Sequence, residues 1–268
     1  MSSSVNLSDL APQEAALALV MSEQTDLLGA RVAVRALADR GIELSEASVS
    51  RLLSRLDARG VSRPIGRKGR VLTAEGRAAV EAREYQCRRD KNFTRALELR
   101  SATEVLDWLR ARRAIESEAA YLAATRIDEE MLEAVESAVV SHEAAAKAGR
   151  LDFRTVGMGF HSLLASAAHS PVFTALVESL ISPSAESVES ALDLITANRG
   201  TIGESADDHR RLLSALKAGD AEAARACMDQ HMRRLEQEVE AFVERSGDAG
   251  FVSALSLLTT MRDTNKGP

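Results

Sequence analysis

Cysteine is nearly absent from this chain. Only Cys87 and Cys227 occur among 268 residues, which excludes a disulfide-stapled scaffold and fits a reducing compartment. Aromatic residues make up 3%, too few for a surface that stacks single-stranded bases. No apolar run approaches the roughly 18 residues that a membrane helix needs, and no secretory signal is visible, so the sequence predicts a cytoplasmic protein with no membrane partner. Proline is scarce, five in all. With abundant Ala, Leu, Glu and Arg, that balance predicts a mostly α protein, long enough for two domains with cores of their own.

Positive charge is in deficit overall but concentrated in one place. The net charge is −6, yet residues 51–70 hold Arg51, Arg55, Arg59, Arg63, Arg67, Lys68 and Arg70 against Asp57 alone. A basic island on an acidic chain predicts a local polyanion-binding surface. The island begins on a helix that Ser45 can cap, SEASVSRLLSRLDARG, in which Val49, Leu52, Leu53 and Leu56 recur at inward spacing. Its other face shows Ser48, Ser50, Arg51, Ser54 and Arg55, small hydroxyls and long guanidiniums that can approach a major groove. On the helix alone, an ordinary solvated face reads the same way.

The flanks decide between the two. Two shorter helices precede it, one opened by Pro12 with Leu17, Val20 and Met21 inward, and one over about 29–39. After it, residues 61–65 and 70–73 read as two strands around the tip Gly66-Arg67-Lys68-Gly69, and Thr73 caps a further helix. The pattern predicts a winged helix-turn-helix, with double-stranded DNA as partner and Ser48, Ser50, Arg51, Ser54, Arg55, Arg67, Lys68 and Arg70 as the contact set. The stretch LLSRLDARGVSRPIGRKGRVLTAEG resembles the winged helices of NrpR-type regulators and of ribonuclease R.

From about residue 97 the chain reads as an all-helical bundle, ending in a helical hairpin. Gly219-Asp220 closes one helix and opens the next, and His209 and His231 lie at matching distances of roughly 15–17 Å from that turn. In an antiparallel pair they face each other. His161 lies on an earlier helix, and three imidazoles on three helices can hold a divalent ion. A lone histidine on a helix is more commonly a surface or hydrogen-bonded core residue.

Four stretches carry a second resemblance: LRARRAIESEAAYLAA (109–124), GFHSLLASAAHSP (159–171), DDHRRLLSALKAGDAEAA (207–224) and Gln230-His231-Met232. They resemble the C-terminal effector (FCD) domain of FadR-type regulators in the GntR superfamily. The resemblance implies a metal site of one Asp and three His, matched here by His161, His209 and His231, with zinc or nickel favoured by the imidazole set. It implies a small organic acid as effector, a homodimer and a palindromic operator. The implied aspartate, one turn before His161, is Gly157 here, which has no ligand atom. Water, Asp152, His142 or the effector carboxylate are the candidates to complete the shell. Arg112 matches a family arginine and either contacts an anionic effector or pairs with Glu116 at i+4.

The predicted division is 1–90 for the winged helix-turn-helix, 91–246 for the effector bundle, and 247–268 for a tail whose stripe of Phe251, Leu255, Leu258 and Met261 docks on a partner chain. The function expected is a ligand-responsive transcription regulator, not an enzyme. The rival readings are a metal-dependent enzyme and an RNA-binding adaptor. Against the first, no general base stands out beside the histidines; against the second, aromatics are too few.

Overall fold

The computed structural model describes residues 7–24, 27–66, 68–148, 153–181, 188, 192, 195–196, 201 and 203–265, with the side chains of 8, 153–157 and 254–265 outside the description. Arg67, Asp152 and Pro183 therefore lie outside the described residues. The chain forms two compact units, Met1–Phe93 and Thr94–Pro268. It is a mostly α protein with a winged helix-turn-helix first and a helical bundle second.

The first unit runs α1 (Pro12–Glu23), α2 (Ala30–Ala38), α3 (Glu46–Ala58), β1 (Ser62–Ile65), β2 (Gly69–Leu72) and the start of α4 (Ala74–Ala96). Ser45 caps α3 by accepting from the Ser48 amide at 3.2 Å, and Val49, Leu52, Leu53 and Leu56 are buried against α1 and α2. β1 and β2 pair antiparallel with Ser62 opposite Leu72 and Ile65 opposite Gly69. Leu28 adds a bridge on the other side of β2, exchanging both backbone bonds with Arg70 at 3.0 Å. The wing is thus tied to the segment before α2.

Thr73 caps α4, its hydroxyl accepting from the Gly76 amide at 2.9 Å. Gly76 is there because nothing larger fits: a Cβ on it would stand 2.0 Å from the Val61 carbonyl oxygen. Backbone, not a flexible side chain, blocks that space. Gly76→Ala should destabilise the first unit by about 1–3 kcal/mol through forced backbone displacement. Urea unfolding of wild type and variant checks this, and equal midpoints would mean that the contact relaxes freely.

The second unit contains α5 (Ala102–Arg126), α6 (Glu129–Lys147), α7 (Phe153–Ala167), α8 (Pro171–Leu180), α9 (Glu204–Ala218) and α10 (Ala221–Asn265). The cap of α5 is Ser101. Ser101 accepts from the Glu104 amide at 3.2 Å, and the Glu104 carboxylate accepts from the Ser101 amide at 3.1 Å. This reciprocal pair satisfies two helix-end donors at once. α5 packs most extensively on α10, and Trp108, Leu109, Phe160, Leu212, Met228 and Leu235 are among the core side chains.

The turn between α9 and α10 is the one the sequence describes. Gly219 adopts a left-handed conformation at φ 65°, and Asp220 accepts from the Ala223 amide at 3.0 Å. α10 breaks at Gly247, where φ is 68° and ψ 167°. Beyond the break Phe251 is buried in the bundle core, its ring 6.1 Å from that of Phe242.

Candidate metal centre and nucleic-acid face

Four helices of the second unit each bring one buried histidine to a common point. α6 supplies His142, α7 His161, α9 His209 and α10 His231. The ligand atoms of His161, His209 and His231 lie within 4.8 Å of one another. Their ring centroids are 5.0 Å apart for His161 and His209, 5.5 Å for His161 and His231, and 4.8 Å for His209 and His231. The register argument from the hairpin therefore places His209 and His231 as the structure does, and α7 delivers His161 between them. Gly157 falls on α7 one turn before His161.

Each of the three uses its Nδ1 elsewhere. His161 Nδ1 donates to Glu116 Oε2 at 2.5 Å, and Arg112 Nε donates to the other oxygen of that carboxylate at 2.6 Å. His231 Nδ1 donates to Asp208 Oδ2 at 3.0 Å, and Arg234 Nε donates to the same oxygen at 2.8 Å. Arg211 holds Asp208 Oδ1, and Ser205 Oγ accepts from Arg234 at 2.7 Å. His209 Nδ1 lies 3.0 Å from His142 Nδ1. His209 Nε2 is buried with no hydrogen-bond partner among the described residues.

The electrostatics act on His209 and on Glu116 in opposite ways. Burial holds His209 well below the ordinary histidine range, and repulsion from His231, His161, His142 and Arg234 adds to this. It is therefore neutral at physiological pH. Burial alone would raise the Glu116 carboxyl, but Arg112 and His161 outweigh it and hold the group at about 2. A carboxylate or other acceptor behind each histidine fixes its tautomer and orients its free nitrogen, as in known outer shells of metal sites. The donor set fits a divalent ion: three imidazole nitrogens within 4.8 Å of one another need to draw together to reach zinc–nitrogen distances of roughly 2.0–2.1 Å.

Sequence reasoning paired Glu116 only with Arg112 and did not single out Asp208 or Arg234. Their link to the histidines crosses helices, so no spacing signals it. Arg112 and Glu116 form the i+4 pair at 2.6 Å, each side chain 1% exposed. Arg112 also lies over the Trp108 ring at 4.7 Å. Arg112 thus holds the carboxylate that backs His161. His142 lies against His209 Nδ1, outside the three residues whose ligand atoms converge.

In the first unit, Ser50, Arg51, Ser54 and Lys68 are exposed, while Ser48 is half-buried and hydrogen-bonded with Ser45 and Arg51. Arg55 is exposed but pairs with the buried Glu14 at 2.7 Å. Arg70 departs most from expectation. It is half-buried, and its Nε donates to Asp57 Oδ2 at 2.7 Å, while Asp57 Oδ1 accepts from Ser62 at 2.5 Å. Asp57 thereby ties α3 to both wing strands, and Arg70 is a strut of the wing and not one of its free cations.

Residues 107–234 match the FCD domain family. This match lies wholly within the C-terminal unit of the chain and covers just under half of the chain's length. No curated protein matches the chain by sequence. Solved structures similar to it include the following three. A Streptococcus agalactiae GntR has 17% identity and a TM-score of 0.41, over 84% of this chain and 98% of that one. The E. coli McbR/YncC protein has 16% identity and a TM-score of 0.44, over 88% and 98%. Lar, titled as controlling expression of the Listeria monocytogenes agr system, has 14% identity and a TM-score of 0.47, over 87% and 98%. No functional inference rests on likenesses of this size. Among the described residues no helix is long and apolar enough to cross a membrane.

Proposed function

We propose that this protein is a DNA-binding transcription regulator whose FCD domain holds a divalent ion on His161, His209 and His231 and senses a small organic acid there. The observation that carries the reading is His209 Nε2, a nitrogen buried without a partner among the described residues and faced by two more imidazoles. Leaving such an atom unpaired costs about 1–3 kcal/mol, and a cation is the partner that a lone pair in this company suits. With Gly157 supplying no ligand atom, the three histidines leave coordination positions open, and an effector carboxylate fits one of them. Zinc and nickel are the ions we favour.

The effector acts by differential binding. A ligand that fits one packing of the bundle better than another shifts the population toward it, and the winged helices of a homodimer read that shift as a change in half-site spacing. A metal-dependent hydrolase is the weaker reading. Among the described residues, the carboxylates hydrogen-bonded to the trio, Glu116 and Asp208, are each already bound by a histidine and an arginine, so neither is free to act as a base.

Operator binding is assigned to the exposed face of α3 and the wing tip, with Arg51 and Lys68 as phosphate contacts and Ser50 and Ser54 toward the groove. Arg67 belongs to the same tip in sequence. Losing one phosphate contact flattens the logarithmic salt slope by about one unit. Titration of an operator fragment at several salt concentrations should show this loss for Lys68→Ala and again for Arg51→Ala. An unchanged slope in both would remove this face from the interface. Elemental analysis of protein purified without a histidine tag, followed by titration with organic acids before and after chelation, tests the effector part. Equal acid binding by both forms would rule out the ion as the anchor.

A further inference from the structure

The three ligand histidines are not backed alike. His161 and His231 each lean on a carboxylate that an arginine holds in turn. Among the described residues, no carboxylate is hydrogen-bonded to His209. Its Nδ1 meets the Nδ1 of His142 at 3.0 Å, and His142 is 1% exposed. The His209 ring is also stacked on Phe160, centroids 4.0 Å apart and planes 15° from parallel. One apolar face and one hydrogen bond thus set the plane and the rotation of this ring.

We propose that His142 is a positioning residue of the metal centre, the neutral acceptor that fixes His209 in the tautomer able to bind the ion. This rests on the metal reading above. A cation needs the lone pair of His209 Nε2, so the His209 proton sits on Nδ1. That N–H donates to His142 Nδ1, and His142 carries its own proton on Nε2. The opposite arrangement, in which His142 donates, puts a proton on His209 Nε2 and aims an N–H at the cation. Replacing His142 by a group that cannot accept therefore frees the His209 ring to take the wrong tautomer. His142 does not touch the ion; it acts through His209.

The experiment uses the full chain and two substitutions. His142→Phe keeps a planar ring and removes the acceptor. His142→Asn keeps an acceptor oxygen near the place of Nδ1. Calorimetric titration of metal-free protein with zinc should show His142→Phe binding about 10- to 100-fold more weakly than wild type, with His142→Asn within a few-fold of wild type. Cobalt(II), added in place of zinc, should give a shifted visible absorption band in His142→Phe and the wild-type band in His142→Asn. Thermal unfolding of the metal-free forms separates positioning from folding, because His142→Phe leaves His209 Nδ1 unpaired and should melt only modestly lower than wild type, with His142→Asn closer to wild type. Zinc affinity in His142→Phe equal to wild type overturns the proposal, as does equal weakening in both variants together with lowered metal-free melting. Wild type that takes up no zinc overturns the metal reading itself, and this proposal with it.

Discussion

His209→Ala should abolish tight divalent-ion binding, with affinity for zinc or nickel falling by more than about two orders of magnitude, since outer-shell changes alone cost 10- to 100-fold. His209 is the ligand whose Nε2 has no other partner among the described residues, and its removal leaves two imidazoles for an ion that also lacks a carboxylate at Gly157. A bound ion stabilises only the state that contains its site, by RT ln(1 + [L]/Kd), which is about 2.7 kcal/mol at 100-fold excess over Kd. Chelation of the wild type should therefore lower the melting temperature by several degrees, and zinc should restore it, whereas His209→Ala should melt at the same temperature with or without chelator. The converse substitution, Gly157→Asp, puts a carboxylate one turn before His161 and should tighten the site. Wild type whose melting ignores both chelator and added zinc would leave the bundle a metal-free pocket with hydrogen-bonding histidines.

Glu116→Leu should be the most destabilising single substitution in the bundle. Arg112 and Glu116 are both 1% exposed, and breaking a buried pair from one side costs about 3–5 kcal/mol, because it leaves an uncompensated charge in the core. Arg112→Leu combined with Glu116→Leu should recover part of that loss, since it removes both charges of the pair and leaves only the His161 Nδ1 donor without its acceptor. Chemical unfolding of the two variants distinguishes these effects, and a single variant within about 1 kcal/mol of wild type would mean that the pair is dispensable. The pH dependence follows from the same group. Its folded value of about 2 lies below the roughly 4.3 of an unfolded glutamate. A depressed carboxyl stabilises the fold fully above its unfolded value, and this contribution is lost as pH falls from about 4.3 toward 2. Glu116→Gln should flatten acid unfolding in that window, and an unaltered acid profile would show that another carboxylate controls it.

Much of the fold was legible because it depends on local periodicity. The buried stripe of α3, the Ser45 and Thr73 caps and the Gly219-Asp220 turn are set by residues within a turn or two of one another. The His209–His231 pair was legible for the same reason. The helical rise and a tight turn fix their heights, whatever else packs around them. The i+4 pairing of Arg112 with Glu116 is likewise a property of one helix.

What the sequence alone determined, then, is the element order, the two-part architecture, the basic face and the three candidate ligands. Tertiary structure decided what stands behind them. Glu116 meets His161 across 45 positions, His142 meets His209 across 67, and Arg234 meets Asp208 across 26. No spacing rule reaches that far, because helix packing and not helix geometry brings those side chains together. The same holds for Arg70, which looked like a free wing cation until β2 folded it onto Asp57 of α3. It holds also for Gly76, whose lack of a side chain matters only because the Val61 carbonyl lies where a Cβ would be. Charge and residue type are written in the chain, but whether a charge faces solvent or a buried partner is settled by long-range packing.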